Sequence, residues 1–223
     1  MQDALLLKKK AAVASKTVLL MSLNGDLTDQ TGNTPNGSIG SVGQTFKTNQ
    51  KFGRQAATFT QGGYVAVPFS AKIQLAADFT IEMWISMAVL TGEQMLFTAG
   101  AGCYIDCYTG AGYNGGAPCF INSIRPTNDH VSLMVANNPF SVNTLHHLAL
   151  CRLNGTVSMY GDGVSLGTPV ANNQVWGNTT TYIGNYVAAA SYGFAGGVQE
   201  VRMSNVCRYT GPFTPPTGPF TLD

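Results

Sequence analysis

Charge is scarce in this sequence: ionisable Asp, Glu, Lys and Arg make up 10% of the residues, where a globular chain usually carries about 25%. Twelve basic residues face eleven acidic ones, for a net charge of +1. Four of the lysines, Lys8, Lys9, Lys10 and Lys16, crowd the first sixteen residues with only Asp3 opposing them, so the rest of the chain is slightly acidic. A body of that kind lacks the basic face that phosphate-backbone binding needs, which excludes nucleic acid as an expected partner. Apolar runs stay far short of the roughly 20 residues of a spanning helix, and no membrane insertion is expected. In "MQDALLLKKKAAVASK" the lysines follow the leucines, the reverse of a secretory signal, so no signal peptide is read and synthesis in a reducing cytosol is expected. Five cysteines cannot all pair within one chain, and a reduced state is expected.

Abundant instead are the residues of tight turns and packed strands. Hydrophobic residues form 44% of the chain and there are 26 glycines, a balance that excludes disorder and suits an all-β protein. Residues 1–16, rich in Ala, Leu and Lys, are expected to form a short helix or extended arm, a docking segment that needs a surface to pack on. From Thr17 onward the pattern is one of short β-type runs: "TVLLMSL", "QAATFT", "GYVAVP", "FTIEMWISMAV", "QMLFTAG", "GCYIDCYT", "HVSLMVA", "LHHLALCRL", "TVSMYGDG", "VSLGTP", "TYIGNY" and "GGVQEVRMS". Runs of this length separated by Gly and Asn predict an antiparallel sandwich or barrel over residues 17–223, with no helical period in it. In "FTIEMWISM", Phe79, Ile81, Met83, Ile85 and Met87 fall on one face, the pattern of a half-buried strand. The Gly161-Asp162-Gly163 triplet predicts a hairpin turn. The prolines of "RYTGPFTPPTGPF" predict an extended surface crossing held by Tyr209, Phe213 and Phe220.

The cysteine-rich stretch "GAGCYIDCYTGAGYNGGAPC" invites a metal or redox reading. If "GCYIDCYT" is a strand, however, Cys103 and Cys107 share a face roughly 13 Å apart, at about 3.3 Å per residue. That span prevents a shared zinc ion or a disulfide between them. Cys103, Ile105 and Cys107 then face the core, and Tyr104, Asp106 and Tyr108 become exposed contact candidates, with Tyr113 and Asn114 in the following loop and Trp176, Tyr186 and Tyr192 later in the chain. Aromatic faces and planar polar groups are what a shallow sugar site requires. The same tyrosines would serve equally under loops or at a subunit interface. His146 and His147 are adjacent, which in a strand sends them to opposite faces and prevents joint ligation of one ion. Glu82, Glu93 and Glu200 are widely separated, and no paired-carboxylate motif of a glycoside hydrolase occurs.

Several stretches together resemble the laminin-G-like, concanavalin A-like jelly rolls. These are "KFGRQAATFTQGGYVAVPFS", "DFTIEMWISM", "LHHLALCRLNGTVSMYGDGVSLGT" with Leu145 where a tryptophan is usual, and "YIGNY" followed by "FAGGVQEVRMSNVCRYTGPFTPPTGPF". Arg208 and Tyr209 before "TGPFTPP" are similar to the closing segment of such domains in tailed-bacteriophage structural proteins. The resemblance covers residues 17–220 and implies a two-sheet jelly-roll sandwich. It further implies a non-enzymatic virion structural protein of tail, baseplate, fibre or capsid surface, whose residues 1–16 dock to other virion proteins or to a copy of itself in a homo-oligomer. Host-surface glycan is a possible ligand in that setting. The alternatives are a dedicated lectin module for host polysaccharide and a glycosidase. No cofactor is required by this reading. Because many such domains hold calcium at the sandwich rim, Asp26 and Asp29 in "NGDLTDQTG" are the calcium candidates, with Gln199 standing where an acidic residue is common.

Overall fold

A computed structural model describes residues 16–40, 44–47, 50–60, 62–99, 103–109, 114–124, 133–177, 179–186 and 192–223. The docking segment expected over residues 1–16 therefore lies, but for Lys16, outside the described residues, as does Tyr113. The strands are β1 (Thr17–Met21), β2 (Ser38–Gly40), β3 (Gln44–Lys47), β4 (Ala56–Phe59), β5 (Tyr64–Val67), β6 (Phe79–Met87), β7 (Glu93–Ala99) and β8 (Cys103–Tyr108). They continue as β9 (Cys119–Ile124), β10 (Leu133–Asn137), β11 (Leu145–Leu153), β12 (Thr156–Gly161), β13 (Val164–Ala171), β14 (Thr181–Ile183) and β15 (Gly196–Ser204).

These strands form two antiparallel sheets. One is eight-stranded, in the order β13-β12-β11-β6-β15-β4-β3 with β1 also paired to β15. The other is seven-stranded, in the order β10-β9-β8-β7-β14-β5-β2. The two inner faces enclose the main core, in which Phe79, Ile81, Met83, Ile85 and Met87 of β6 meet Leu96 and Phe97 of β7 and Cys103, Ile105 and Cys107 of β8. Strand periodicity predicted the inward positions of β6 and β8 because successive side chains alternate; Leu96 and Phe97 both reach the core where the β7–β8 register shifts between Met95 and Phe97. Each large apolar side chain removed from water there contributes about 1.5–3 kcal/mol. Three strands were not legible as such: β2 and β3 are very short, and β9 follows a glycine-rich stretch that reads as loop.

The half-buried reading of β6 needs correction. Thr80, Glu82 and Trp84, on its other face, are buried as well, because the residues after β15 cross the outer face of the eight-stranded sheet. Phe220 packs there with Leu20 and Trp84, and Tyr209 and Phe213 pack on Ala149, Cys151 and Tyr160. This strap forms no strand, as its prolines require. It is tied to the β12–β13 hairpin, where Asp162 (φ 48°) and Gly163 (φ 79°) make the turn and the Phe213 N–H donates to the Gly163 carbonyl at 2.9 Å. A Cβ on Gly163 would run into the Phe213 carbonyl oxygen, so glycine there serves both the turn and the strap.

Candidate functional site

Two polar clusters use the chemistry-bearing residues, and one of them is structural. On the strap side, the buried Glu82 carboxylate accepts from Arg202 Nε at 2.8 Å, the Tyr209 hydroxyl at 2.8 Å and His147 Nε2 at 3.2 Å. Burial alone would push this carboxyl up, but the His147 hydrogen bond and the Arg202 charge hold it below the usual glutamate range. Glu200, at φ 53° in the irregular part of β15, pairs with Arg54 at 3.1 Å and accepts the Phe220 N–H at 3.0 Å. Both carboxylates lock the strap down and neither faces an open depression. The two histidines divide as expected: His147 is fully buried under the strap, while His146 stacks on Phe140 at the rim and donates from Nδ1 to Asp162 at 2.6 Å.

The other cluster lies on the outer face of the seven-stranded sheet, opposite the strap. Register places Glu93 across from Tyr108, Met95 across from Asp106, and Tyr108 across from Cys119. Alternation sends Tyr104, Asp106 and Tyr108 outward while their neighbours enter the core. Met95, Tyr104 and Cys119 form a small apolar patch there, and Tyr108, Tyr186 and Tyr192 pack against it, each half-buried. Tyr186 and Tyr192 belong to the segment after β14 and meet edge to face, with ring centroids 6.5 Å apart.

Hydrogen bonds explain how that distant segment returns to the sheet. The Thr98 hydroxyl donates to the Asn185 carbonyl at 3.1 Å, Asn185 Nδ2 donates to Gly62 O at 3.3 Å, and Asn185 Oδ1 accepts the Tyr186 N–H at 2.7 Å. On the returning side, Gly193 bridges to Met95, the Phe194 N–H donates to Gly184 O at 2.8 Å and the Ala195 N–H donates to Gln94 Oε1 at 3.1 Å. Both tyrosines are thus held from fixed points at the two ends of the segment.

Two carboxyls accompany the rings. Asp106 is 2% exposed and its Oδ1 accepts the Gln94 N–H at 3.1 Å. Burial pushes its carboxyl well above the usual aspartate range, and the nearby Glu93 charge pushes the same way. Glu93, half-buried at the edge of the patch, is itself pushed up by burial. Of the two, the half-buried Glu93 offers its carboxyl at the surface, whereas Asp106 is enclosed beneath it. Half-exposed phenol rings beside such groups can hold a ligand that is apolar on one face and hydroxyl-rich at its edge.

Of the residues singled out from sequence, the structure brings together Tyr104, Asp106, Tyr108, Tyr186 and Tyr192. Two of these differ from expectation: Tyr104 and Asp106 point outward but are buried, and Tyr186 and Tyr192 pack against the patch that holds Tyr104. Asn114 sits in the single turn Asn114–Gly116 that leads into β9, at the end of the sheet where Tyr108 pairs with Cys119. Trp176 is not on this face at all. It is fully buried in the core, stacked with Phe97 at 6.0 Å, and its backbone pairs with that of Leu75. Glu93 was missed as a contact residue; only the β7–β8 register, a long-range fact, reveals it.

The calcium candidates do not fit a cation. Asp29 is buried and its oxygens accept the N–H groups of Leu20, Thr31, Asn33 and Thr34 and the Thr31 and Thr34 hydroxyls. Those lone pairs face hydrogens rather than an ion. Asp26 is exposed and accepts the Thr28 N–H at 2.9 Å, a turn contact. Among the described residues no group of three His, Cys, Asp or Glu side chains could hold a metal ion. Gln199, buried, donates instead to Lys51 O at 2.9 Å.

A family model for the concanavalin A-like lectin/glucanases superfamily matches residues 59–209. No curated protein matches the chain. Among solved structures, it is similar to domain 4 of AbnA, a GH43 extracellular arabinanase from Geobacillus stearothermophilus, in complex with arabinotriose. The TM-score is 0.63 at 21% identity, over 91% of this chain and 96% of that one. It is also similar to the binding domain of Paraclostridial Mosquitocidal Protein 1, with TM-score 0.63 at 14% identity over 86% and 49%. A structure of botulinum neurotoxin type C, whose cell entry depends on interaction with two ganglioside molecules, gives TM-score 0.58 at 14% identity over 86% and 48%. The chain thus spans nearly all of the arabinanase domain and about half of each toxin chain, and at these identities the likeness is one of fold.

Proposed function

Since the chain belongs to the concanavalin A-like lectin/glucanase superfamily, we propose that it is a non-enzymatic carbohydrate-binding module that holds its glycan on the outer face of the seven-stranded sheet. The observation that carries this reading is the convergence of Tyr108, Tyr186 and Tyr192, all half-buried, beside the half-buried Glu93 carboxyl across from Tyr108. Sugar rings stack their C–H faces on such phenols while carboxyl oxygens take their hydroxyls. The arabinotriose-bound relative and the ganglioside-dependent toxin support a glycan as the class of ligand. Arabino-oligosaccharides are the first to try.

The test is incubation of the protein with soluble oligosaccharides followed by analysis of both bound and free sugar. Saturable binding with the sugar recovered intact is expected. Release of new reducing ends, abolished by Glu93→Gln, would make the site a hydrolase instead.

The setting we propose is a bacteriophage virion, with the module displayed at tail, baseplate, fibre or capsid surface and residues 1–16 docking it to other virion proteins or to further copies of itself. The Arg208-Tyr209 strap, with its similarity to virion laminin-G-like domains, supports this setting, as does the lysine-bearing N-terminal segment. Removing residues 1–16 should leave a folded domain that no longer joins particles. Retention of the truncated protein on particles would count against the docking role.

A further inference from the structure

Two cysteines face each other outside both clusters, where the strap crosses β11. Cys151 is buried on the outer face of the eight-stranded sheet, in contact with Ala149 and Tyr160 and covered by Cys207, Tyr209 and Phe213. Thr80 fixes the approach. Its hydroxyl lies 3.5 Å from Cys151 Sγ, donates to Val206 O at 2.9 Å and accepts the Arg208 N–H at 2.8 Å. The backbone on either side of Cys207 is therefore anchored to a residue that touches Cys151. Cys207 packs against the cluster that holds Cys151, and its S–H donates to Tyr209 O at 3.4 Å. Both line one open depression of about 300 Å³, so a small reagent can reach them from solvent.

The other cysteines lack this arrangement. Cys103 and Cys107 are core residues, and burial pushes the Cys107 thiol up to about 12. Cys119 is packed in the tyrosine patch and also pushed up by burial. Cys207 moves the other way: its interaction with the Cys151 thiol brings it down to about 7, against the opposing effect of burial. A thiol of that kind is substantially thiolate near neutral pH, and the thiolate is the nucleophile in disulfide exchange.

We propose that Cys151 and Cys207 are a reactive dithiol that a low-molecular-weight disulfide, of the glutathione class, oxidises to an intramolecular disulfide stapling the strap to β11. The Cys207 thiolate attacks one sulfur of the small disulfide, forming a mixed disulfide and expelling one small thiolate. Cys151 gives its proton to that departing thiolate and attacks Cys207 Sγ. The protein S–S bond forms, the mixed disulfide breaks, and the second small thiolate leaves, taking from water the proton that Cys207 had released. Two protein thiols are oxidised and one small disulfide is reduced to two thiols. The movement that brings the sulfurs to about 2 Å falls on the half-buried Cys207 of the strap rather than on the central strand.

The experiment treats the full chain with oxidised glutathione near neutral pH, blocks remaining thiols, and maps the peptides by mass. Expected are a loss of two hydrogens, a peptide linking Cys151 to Cys207, and a raised Tm that returns to its starting value on reduction. In the untreated chain, alkylation should strike Cys207 first, with a rate midpoint near pH 7. Cys151→Ala should stop the reaction at a glutathione adduct on Cys207. A stable adduct on Cys207 in the unaltered chain, a link between other cysteines, or no reaction would each overturn the proposal. These readouts are taken on the unaltered chain, so they stand even if the variant fails to fold.

Discussion

Tyr209 donates its hydroxyl to Glu82 Oε2 at 2.8 Å, joining the C-terminal strap to the middle of the sheet it covers. The same carboxylate takes Arg202 and His147. Removing the hydroxyl leaves a buried anion with one donor fewer, and hydrogen bonds to charged groups are worth about 1.5–3 kcal/mol. Tyr209→Phe should therefore lower the unfolding free energy by about that amount, measured by denaturant titration.

Stability should vary with pH through two carboxyls of opposite sign. Glu82 is held below its ordinary value of 4.5 in the folded state, so its contribution is fully present above that value and is lost as pH falls through the lower folded one. Glu82→Gln should flatten this acid limb while lowering stability at neutral pH. Asp106 is held well above its ordinary 3.8, so its contribution is present below that value and is lost as pH rises through the folded one. The stability of Asp106→Asn relative to the unaltered chain should accordingly improve with rising pH. Tm measured against pH for the three proteins checks both signs.

Gly163→Ala should destabilise more than its backbone conformation alone explains, since a Cβ meets the Phe213 carbonyl. Gly53 is the control: its φ is +66° and a Cβ there meets nothing within 4 Å. Backbone strain of about 1–3 kcal/mol is common to both. The excess loss in Gly163→Ala, together with faster proteolysis of the strap, would report the contact.

How much of this was legible in the sequence depended on whether the decisive contacts were local. Alternation along "CYIDCY" placed Cys103, Ile105 and Cys107 inward because neighbouring strand residues face opposite ways whatever surrounds them. The Asp162-Gly163 turn was equally local. Burial of Tyr104 was not, since Tyr186 and Tyr192, more than eighty residues later, pack against its patch. Trp176 has the composition of a sugar platform, but only its position against Phe97 and Leu75 shows that it packs the core. Glu93 joined the candidate site through strand register, and the Cys151–Cys207 pair through the path of the strap; neither leaves a signal in spacing.

On the proposed function, the outer tyrosines grip a glycan. Calorimetric titration with a panel of soluble oligosaccharides, headed by arabinotriose, tests it most directly when the unaltered chain is set beside the Tyr186→Ala, Tyr192→Ala double variant. Saturable binding of at least one glycan is expected, weakened about tenfold or more in the double variant, equivalent to about 1.4 kcal/mol. Binding of no glycan, or undiminished binding by the folded double variant, would contradict it.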